Sequence, residues 1–391
     1  MYKRQVREWP EEENQAQAGE DVWLTLDAPL QEYAVELFEE DSGGVAVIDC
    51  MTGELRTLLS MPTFDGNMFV SGMSQSQYDE LRNNPKRPEF NKVLSGRYPP
   101  ASTFKMSVML AALEHGINPS ERILCTGRVE VGNRRFHCWL PRGHGPMNLK
   151  DSLQYSCDVY YYEMAQRIGM EKVEAFAKRL GLGQSYDLGV AGVSSGRVPT
   201  PEGVKQRFGH SWRLGDSLNA FIGQGFVEAT PLQLAVMAAR IANGKKAILP
   251  QLIIGENLPE FEELNIDERH LGIVQRAMRS VCEEPGGTAY SPMALGVRGM
   301  EIAGKTGTGQ VRNITASERA SGVLRNQELA WKYRDHSIFV GYAPFHMPRF
   351  AVGTIVEHGG SGAGRAAAIT RALLKRALER DGLLKTMETE G

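Results

Sequence analysis

The 391-residue chain has few cysteines, little net charge and no long apolar run, and each shortage excludes a class of protein. Five cysteines are an odd number, so a fully paired disulfide framework is excluded. No run of about 18 consecutive apolar residues occurs, so the chain as given is expected not to span a membrane. The net charge is -3, and Lys and Arg are dispersed, which does not favour nucleic-acid binding.

The N-terminus also lacks a signal-peptide pattern, because its basic start leads into the polar, acidic stretch 11–21. Residues 1–20 are predicted to be a linker at the cut edge of a longer protein. The rest of the chain is long enough to bury a substantial core.

The pattern of apolar residues and turn signals predicts an α+β protein with strands at both ends and a long helical middle. Residues 61–95 are expected to be irregular, and the charged stretch 309–335 to be a mobile loop beside the sheet edge. The predicted strands are 22–26, 44–49, 54–60, 300–306, 337–343 and 350–357, and the predicted helices are 27–38, 148–168, 171–180, 230–243, 267–283 and 366–384.

The first stretch that carries chemistry is Ser102, followed three residues later by Lys105 at the start of a predicted helix. Two prolines end the preceding segment, and apolar residues at helical spacing follow. Three residues along a helix place both side chains on one side. A serine becomes a nucleophile when a base lies within hydrogen-bond reach, and a buried lysine near a second cation can supply that base.

Two further stretches offer partners for this pair. Ser156 and Asp158 lie just inside a helical pattern, where a hydroxyl can relay a proton and a carboxylate can hold a lysine. The segment 303–309, Ala-Gly-Lys-Thr-Gly-Thr-Gly, follows an apolar lead-in and is predicted to be a strand. Its Lys305 would supply a fixed cation, and its edge N–H groups could bind an extended peptide.

Cysteines suggest a separate hypothesis, a structural zinc site. Cys125, Cys138, His144 and Cys157 lie within 33 residues, and three thiolates with one imidazole suit closed tetrahedral zinc. Such an ion would tie the segment 124–150 to the turn that carries Ser156. A disulfide or buried free thiols are the alternatives. His137 is the reserve ligand, and Cys50 and Cys282 are predicted to be small core residues.

Two competing patterns belong to other classes of protein. Residues 299–306 fit the phosphate-loop pattern G-x-x-x-x-G-K-T, which would make the chain a nucleotide-binding protein, but that loop must open a helix and Gly307-Thr308-Gly309 is poor for one. Residues 192–196 fit the nucleophile elbow of α/β-hydrolases, but a proline-rich segment follows where a helix is required.

The order Ser-x-x-Lys, Ser-x-Asx and Lys-Thr-Gly resembles the penicillin-binding proteins and serine β-lactamases. The resemblance extends over nearly the whole chain from about Trp23 and is greatest to the penicillin-binding protein 2 family, the elongation-specific class B transpeptidases of rod-shaped bacteria. The stretches that carry it are 96–105, 156–158, 222–225, 229–234 and 304–308.

This resemblance implies a transpeptidase fold with an antiparallel sheet, flanking helices and a large, mostly helical subdomain. The transpeptidase domain would cover residues 21–385, with a sheet lobe of about 21–63 plus 290–385 and a helical lobe of about 64–289. Residues 1–20 would be a linker or a remnant of a membrane-proximal domain, and 386–391 a tail.

The resemblance also implies roles for the site residues. Ser102 would attack the penultimate D-alanine carbonyl of a peptidoglycan stem peptide, Lys105 would take its proton, and Ser156 would relay one to the leaving amine. The substrate carboxylate would bind Lys305, Thr306 and Thr308, with Gly307 between them, and the N–H groups of Ser102 and Thr308 would form the oxyanion hole. Position 158 departs from the pattern, because Asp replaces the more common Asn and would pair with a lysine more strongly. Lys105 and Ser156 therefore both remain candidates for the base at each step.

No cofactor is required for this chemistry. The full-length protein would be anchored in the inner membrane facing the periplasm, inhibited by β-lactams, and partnered by a polymerising glycosyltransferase and scaffold proteins of the elongation machinery. A β-lactamase or penicillin sensor of the same fold is the alternative. The chain lacks the Glu-x-x-Leu-Asn segment of class A β-lactamases, whereas a class D-like enzyme would use the Ser-x-x-Lys lysine itself.

Overall fold

A computed structural model describes residues 19–255, 259–295, 297 and 299–384. Residues 1–18 of the predicted linker and the whole predicted tail lie outside these residues. None of the helices in the described part is both long and apolar enough to cross a bilayer. The division into a sheet lobe and a helical lobe stays a prediction.

Five antiparallel strands form the main sheet, in the order β2-β1-β9-β8-β7. The first hairpin forms one edge, and β7, which carries Lys305, forms the other. Two small strand pairs, β3 with β6 and β4 with β5, lie in the segment 123–147. The strands are β1 (Ser42–Asp49), β2 (Leu55–Met61), β3 (Ile123–Cys125), β4 (Arg128–Val131), β5 (Arg134–His137), β6 (Gly145–Met147), β7 (Ala303–Gly309), β8 (His336–Ala343) and β9 (Phe350–Glu357).

Helices surround this sheet and fill the middle of the chain. They are α1 (Ala28–Phe38), α2 (Asn67–Ser71), α3 (Gln75–Asn83), α4 (Lys105–Glu114), α5 (Leu149–Gln154), α6 (Asp158–Arg167), α7 (Met170–Arg179), α8 (Pro201–Phe208), α9 (Leu214–Phe221), α10 (Pro231–Asn243), α11 (Glu268–Glu283), α12 (Tyr290–Met293), α13 (Ala316–Ser321) and α14 (Arg365–Arg380). The observed mixture of sheet and helix confirms the predicted α+β class.

Helices cover both faces of the sheet, so its central strands are buried throughout. Side chains of consecutive strand residues point to opposite faces of the sheet. Strand β9 therefore contacts a helix on each face. The Cα of Gly353 faces the backbone of α10, while the Thr354 hydroxyl bonds to Thr370 of α14 at 2.7 Å. Helix α1 packs on β2 and α14, and α11 packs on β7.

Local sequence signals explain where several helices begin and end. Helix α10 begins with Thr230 and Gln233 in a reciprocal capping box and ends at Gly244, which adopts φ of 75°. Asp27 caps α1 through the N–H of Leu30 at 3.1 Å. These starts and ends match the predicted ones.

Four predictions about secondary structure were wrong. The stretch 309–335, predicted to be a loop, contains the short helix α13. Residues 22–26 contribute an isolated bridge from Leu24 to Ile253 rather than a strand. The segment 61–95, predicted to be irregular, contains the two short helices α2 and α3. The predicted helix 148–168 is two helices, α5 and α6, because Ser156 adopts a left-handed φ of 55°, which interrupts the helical path.

Candidate active site

Ser102 lies in a short 3-10 turn, Ala101–Phe104, that runs directly into α4. The preceding residue, Ala101, adopts a left-handed φ of 51°, a conformation that costs an L-residue about 1 kcal/mol or more. Its N–H donates to the carbonyl of Gly223 at 2.8 Å, which holds the turn in this shape. This hydrogen bond therefore fixes the backbone conformation directly before Ser102.

The Lys105 side chain is fully buried beside this turn. Its ammonium donates to the Ser156 carbonyl at 3.0 Å, the Ser156 hydroxyl at 3.3 Å and the Asp158 carboxylate at 2.7 Å. The same nitrogen lies 4.9 Å from the ring centroid of Tyr161, a cation–π contact. The structure thus joins the first two sequence motifs at one buried cation.

Ser156 and Asp158 occupy the break between α5 and α6. Asp158 begins α6, and its second carboxylate oxygen accepts a hydrogen bond from the Trp139 N–H at 3.0 Å. Burial raises the pKa of the Asp158 carboxyl, while the Lys105 ammonium and the Trp139 N–H oppose that rise. The left-handed Ser156 places strain at a predicted catalytic position, as Ala101 does beside Ser102.

Strand β7 brings the third motif against the nucleophile turn. A Cβ added to Gly307 would lie 3.0 Å from the carbonyl oxygen of Pro100, so the two backbones approach more closely than a side chain would allow. Lys305 is fully buried, and its ammonium donates to the carbonyl of Thr306 at 2.9 Å and to the Thr306 hydroxyl at 3.2 Å. The Thr308 hydroxyl accepts a hydrogen bond from the N–H of Gly362 at 3.3 Å.

Two buried lysines at this site share one carboxylate. Burial lowers the pKa of Lys305 well below its usual range, and the Lys105 ammonium lowers it further. Asp158, through its 2.7 Å ion pair with Lys105, compensates one of the two cations. A ligand carboxylate would therefore supply the missing negative charge.

A second cluster lies directly behind this site. One ligand atom from each of Cys125, Cys138, His144 and Cys157 lies within 4.8 Å of the others. The His144 Nδ1 atom is 3.6 Å from the Cys125 sulfur and 3.5 Å from the Cys138 sulfur. All five cysteines are free thiols, so the disulfide alternative is not observed.

This cluster touches the catalytic turn through the backbone. The Asp158 N–H donates to the Cys138 sulfur at 3.4 Å, and Cys157 is the N-cap residue of α6. His137 lies on β5 outside the cluster, and Cys50 and Cys282 are fully buried core residues, as predicted.

The two competing patterns do not have the required structure. Lys305 and Thr306 lie inside a β-strand, so residues 299–306 do not open a helix as a phosphate loop does. Residues 192–196 lie in an irregular segment rather than a strand-turn-helix elbow.

Four neighbours of the site were not predicted. The Thr288 hydroxyl bonds to that of Thr306 at 2.8 Å, and the Gln224 amide donates to the Thr308 carbonyl at 3.1 Å. Trp139 and Tyr161 contact Asp158 and Lys105, as described above. Gln224 lies between two glycines in a stretch that carried the family resemblance, which is a usable signal; the other three lack a comparable local pattern.

Known proteins show the same domain. Residues 43–375 match the family described as "Penicillin binding protein transpeptidase domain". The "Peptidoglycan D,D-transpeptidase MrdA" of Escherichia coli K12 is 32% identical over 372 residues, which are 92% of this chain and 57% of that protein. The chain therefore spans a little over half the length of this relative.

Two solved structures are similar over most of the chain. Pseudomonas aeruginosa PBP2, solved in complex with WCK 5153, has a TM-score of 0.81 and 33% identity, with 92% of this chain and 76% of that chain covered. Helicobacter pylori PBP2, solved in complex with MreC, has a TM-score of 0.82 and 31% identity, with 93% and 64% covered. The family match over residues 43–375 includes all three motifs of the site.

Proposed function

We propose, since the chain belongs to the penicillin-binding protein transpeptidase family, that it is a peptidoglycan D,D-transpeptidase that works through an acyl-serine intermediate. The observation that carries this proposal is the fully buried Lys105, which follows Ser102 by one helical turn and binds both Ser156 and Asp158. This arrangement can accept and relay a serine proton away from water.

The proposed reaction has two halves. In the first, the Ser102 oxygen attacks the penultimate D-alanine carbonyl, and its proton passes to the neutral amine form of Lys105, directly or through Ser156. Lys105 then returns a proton through the Ser156 hydroxyl to the leaving amine, and the terminal D-alanine departs. In the second half, an amine of another stem peptide attacks the acyl-serine, forms the cross-link and returns the proton to Ser102.

Strand β7 would bind and polarise the substrate. Lys305, Thr306 and Thr308 would bind the terminal carboxylate of the substrate. That carboxylate would supply a counter-charge for the second of the two buried lysines, because Asp158 pairs with Lys105 alone. The N–H groups of Ser102 and Thr308 would stabilise the oxyanion, a contribution of about 3–4 kcal/mol per donor in other acyl-transfer enzymes.

Intact mass after incubation with a simple penicillin tests this function, with Ser102→Ala as the control. We expect a one-to-one adduct that decays slowly and is missing from the control. Rapid return to free mass with consumption of the drug would instead identify a β-lactamase of the same fold. Absence of an adduct with several different penicillins would contradict the acyl-serine mechanism.

A structural zinc ion is the second part of the proposal, with Cys125, Cys138, His144 and Cys157 as its ligands. Zinc bonds of about 2.3 Å to sulfur and 2.0–2.1 Å to nitrogen, at tetrahedral angles, place a sulfur and a nitrogen about 3.6 Å apart. The two measured sulfur–nitrogen distances agree with that value. The ion would fix the segment 123–147 to the turn that carries Ser156 and Asp158.

Metal analysis of protein purified without any chelator tests the zinc site. We expect one zinc per chain, lost in Cys138→Ser but retained in Cys282→Ser, a matched change at a buried cysteine outside the cluster. Metal-free protein with intact acylation would contradict the proposal.

The cellular setting of the full-length protein is also a proposal. The complex of Helicobacter pylori PBP2 with MreC supports an association with scaffold proteins of cell elongation. We infer that the full-length protein faces the periplasm from the inner membrane and works beside a polymerising glycosyltransferase, which would supply the strands that the transpeptidase joins.

A further inference from the structure

The turn Gly223–Gly225 connects two parts of the active site that are far apart in the sequence. Its first residue accepts a hydrogen bond from the N–H of Ala101 at 2.8 Å, directly before the nucleophile. Its middle residue, Gln224, donates through the side-chain amide to the carbonyl of Thr308 at 3.1 Å, on the substrate-binding strand. One short turn therefore binds both the segment before Ser102 and the strand that carries Thr308.

The shape of this turn is fixed by its own contacts. Gly223 adopts φ of 70°, and a Cβ there would lie 2.1 Å from the carbonyl oxygen of Ala101, so only glycine fits. The N–H of Gln224 donates to Asn219 at the end of α9 at 2.9 Å. Helix α9 packs on α6, which begins at Asp158. The backbone of Gln224 is therefore held by α9, which itself packs against α6.

The part of β7 that Gln224 contacts is rich in glycine. Thr308 lies between Gly307 and Gly309, and glycine loses the most conformational freedom when it is fixed. Strand β7 is also an edge strand of the sheet. The Thr308 carbonyl faces Gln224 instead of β8, and in an antiparallel strand the N–H of the same residue points to the same side.

We propose that Gln224 is a positioning residue for acylation. Its amide fixes the Thr308 peptide so that the Thr308 N–H stays aimed at the nucleophile and the carbonyl stays in register for an extended peptide. A carbonyl oxygen has two lone pairs, so one remains for an amide N–H of the substrate while Gln224 occupies the other. This inference rests on the proposed transpeptidase function and adds a residue to it.

The test compares acylation rates by a fluorescent penicillin across pH in Gln224→Glu and the parent protein. Near pH 8 the introduced carboxylate repels the Thr308 carbonyl, so we expect acylation to slow by about tenfold or more. Near pH 4 the introduced carboxyl, whose usual pKa is about 4.3, is mostly protonated and can donate again, so the ratio to the parent rate should recover to within about threefold. Gln184→Glu is the matched control, because that amide also donates to a backbone carbonyl, that of Lys178 at 3.0 Å, away from the site.

Gln224→Met provides a second variant of similar length that offers no hydrogen-bond donor. We expect it to acylate slowly at both pH values with a thermal midpoint close to that of the parent, and it decides the question if Gln224→Glu does not fold. Rates within about twofold of the parent in both variants at both pH values would overturn the proposal. A pH-independent loss of acylation that accompanies a lowered midpoint would also overturn it, in favour of a merely structural role. A parent protein that forms no adduct would instead refute the transpeptidase function itself.

Discussion

Asp158 has two partners that few carboxylates have at once, a fully buried ammonium and a backbone N–H from the segment behind the site. Taking charges out of water is costly, and the close pairing with Lys105, together with the Trp139 N–H, offsets that cost. The carboxylate therefore stabilises the fold as well as the lysine's geometry. Stability and the proposed catalysis would depend on the same atoms here.

We predict that Asp158→Ala lowers the free energy of unfolding by about 3–5 kcal/mol, because it leaves the Lys105 ammonium buried without a counter-charge. Asp158→Asn keeps a hydrogen-bond acceptor and should cost less. Urea unfolding of the two variants, with the exposed Asp79→Ala as control, measures the difference. A loss for Asp158→Ala no larger than that for Asp79→Ala would contradict this prediction.

A half-buried histidine, His336, predicts how stability depends on pH. His336 packs edge-on against Tyr98, and its Nδ1 atom accepts the N–H of His358 at 3.0 Å, so the ring must be neutral there. Burial, with a smaller contribution from His358, lowers the pKa of His336 to about 4, while the nearby Glu357 opposes this. The unfolded chain therefore binds more protons than the folded one between about pH 6.5 and 4.

We expect stability to fall as pH decreases through that window, by at most about 3 kcal/mol from this residue. His336→Asn, which can keep the acceptor, should lose less stability over the same range. The exposed His346→Asn is the control and should follow the parent. Denaturant unfolding at closely spaced pH values checks this, and parallel curves for His336→Asn and the parent would contradict it.

Elements differ in how closely their backbones pack, and the contact of β9 with α10 is one of the closest. A Cβ on Gly353 would lie 2.4 Å from the Pro231 oxygen and 2.5 Å from the Ala235 nitrogen, both backbone atoms of the helix. A helix this buried cannot move aside without disturbing the core around it.

Gly353→Ala should therefore destabilise the protein by about 3 kcal/mol through overpacking. The matched control is Gly66→Ala, at a position with φ of -61° and no heavy atom within 4 Å of the added Cβ. Thermal unfolding of both variants measures the effect. A Gly353→Ala midpoint as high as that of the control would show that α10 can shift.

Elements with explicit start and stop signals were predictable from the sequence, and those defined by tertiary contacts were not. Helix α10 was predictable because Thr230 and Gly244 mark its ends. The break at Ser156 was not, because its left-handed backbone is held by the surrounding fold, including Lys105, rather than by a local Gly or Pro. The residue types of the site follow from three short motifs, but the Gln224 bridge to Thr308 joins positions 84 residues apart.

At the scale of the whole molecule, one connected apolar core reaches from the sheet to the helices around the site. It includes Val352 of β9, Leu234 of α10, Met109 of α4 and Tyr160 of α6. The nucleophile helix lies within this shared core, so the site is supported from both sides.

We predict that unfolding is cooperative across the whole domain. Midpoints followed by far-UV circular dichroism and by tryptophan fluorescence should agree within about 2 °C, with a single calorimetric transition. The measurement compares the unfolding midpoints from circular dichroism and from fluorescence on the same sample. Two resolved transitions would show that the helical part and the sheet unfold separately.

The strand order also determines when β1 can pair with its neighbour during synthesis of the chain. Strand β1 pairs with β9 along its whole length, and Ser42 bonds to Glu357, a residue 315 positions later. At about 5–20 residues per second, a ribosome needs roughly 15–60 seconds to make that partner. During this time the β1–β2 hairpin has emerged with one edge and its apolar faces uncovered. The newly made chain must therefore be protected from aggregation for most of its synthesis, and a nascent chain that stops before residue 350 leaves β1 without its second neighbour.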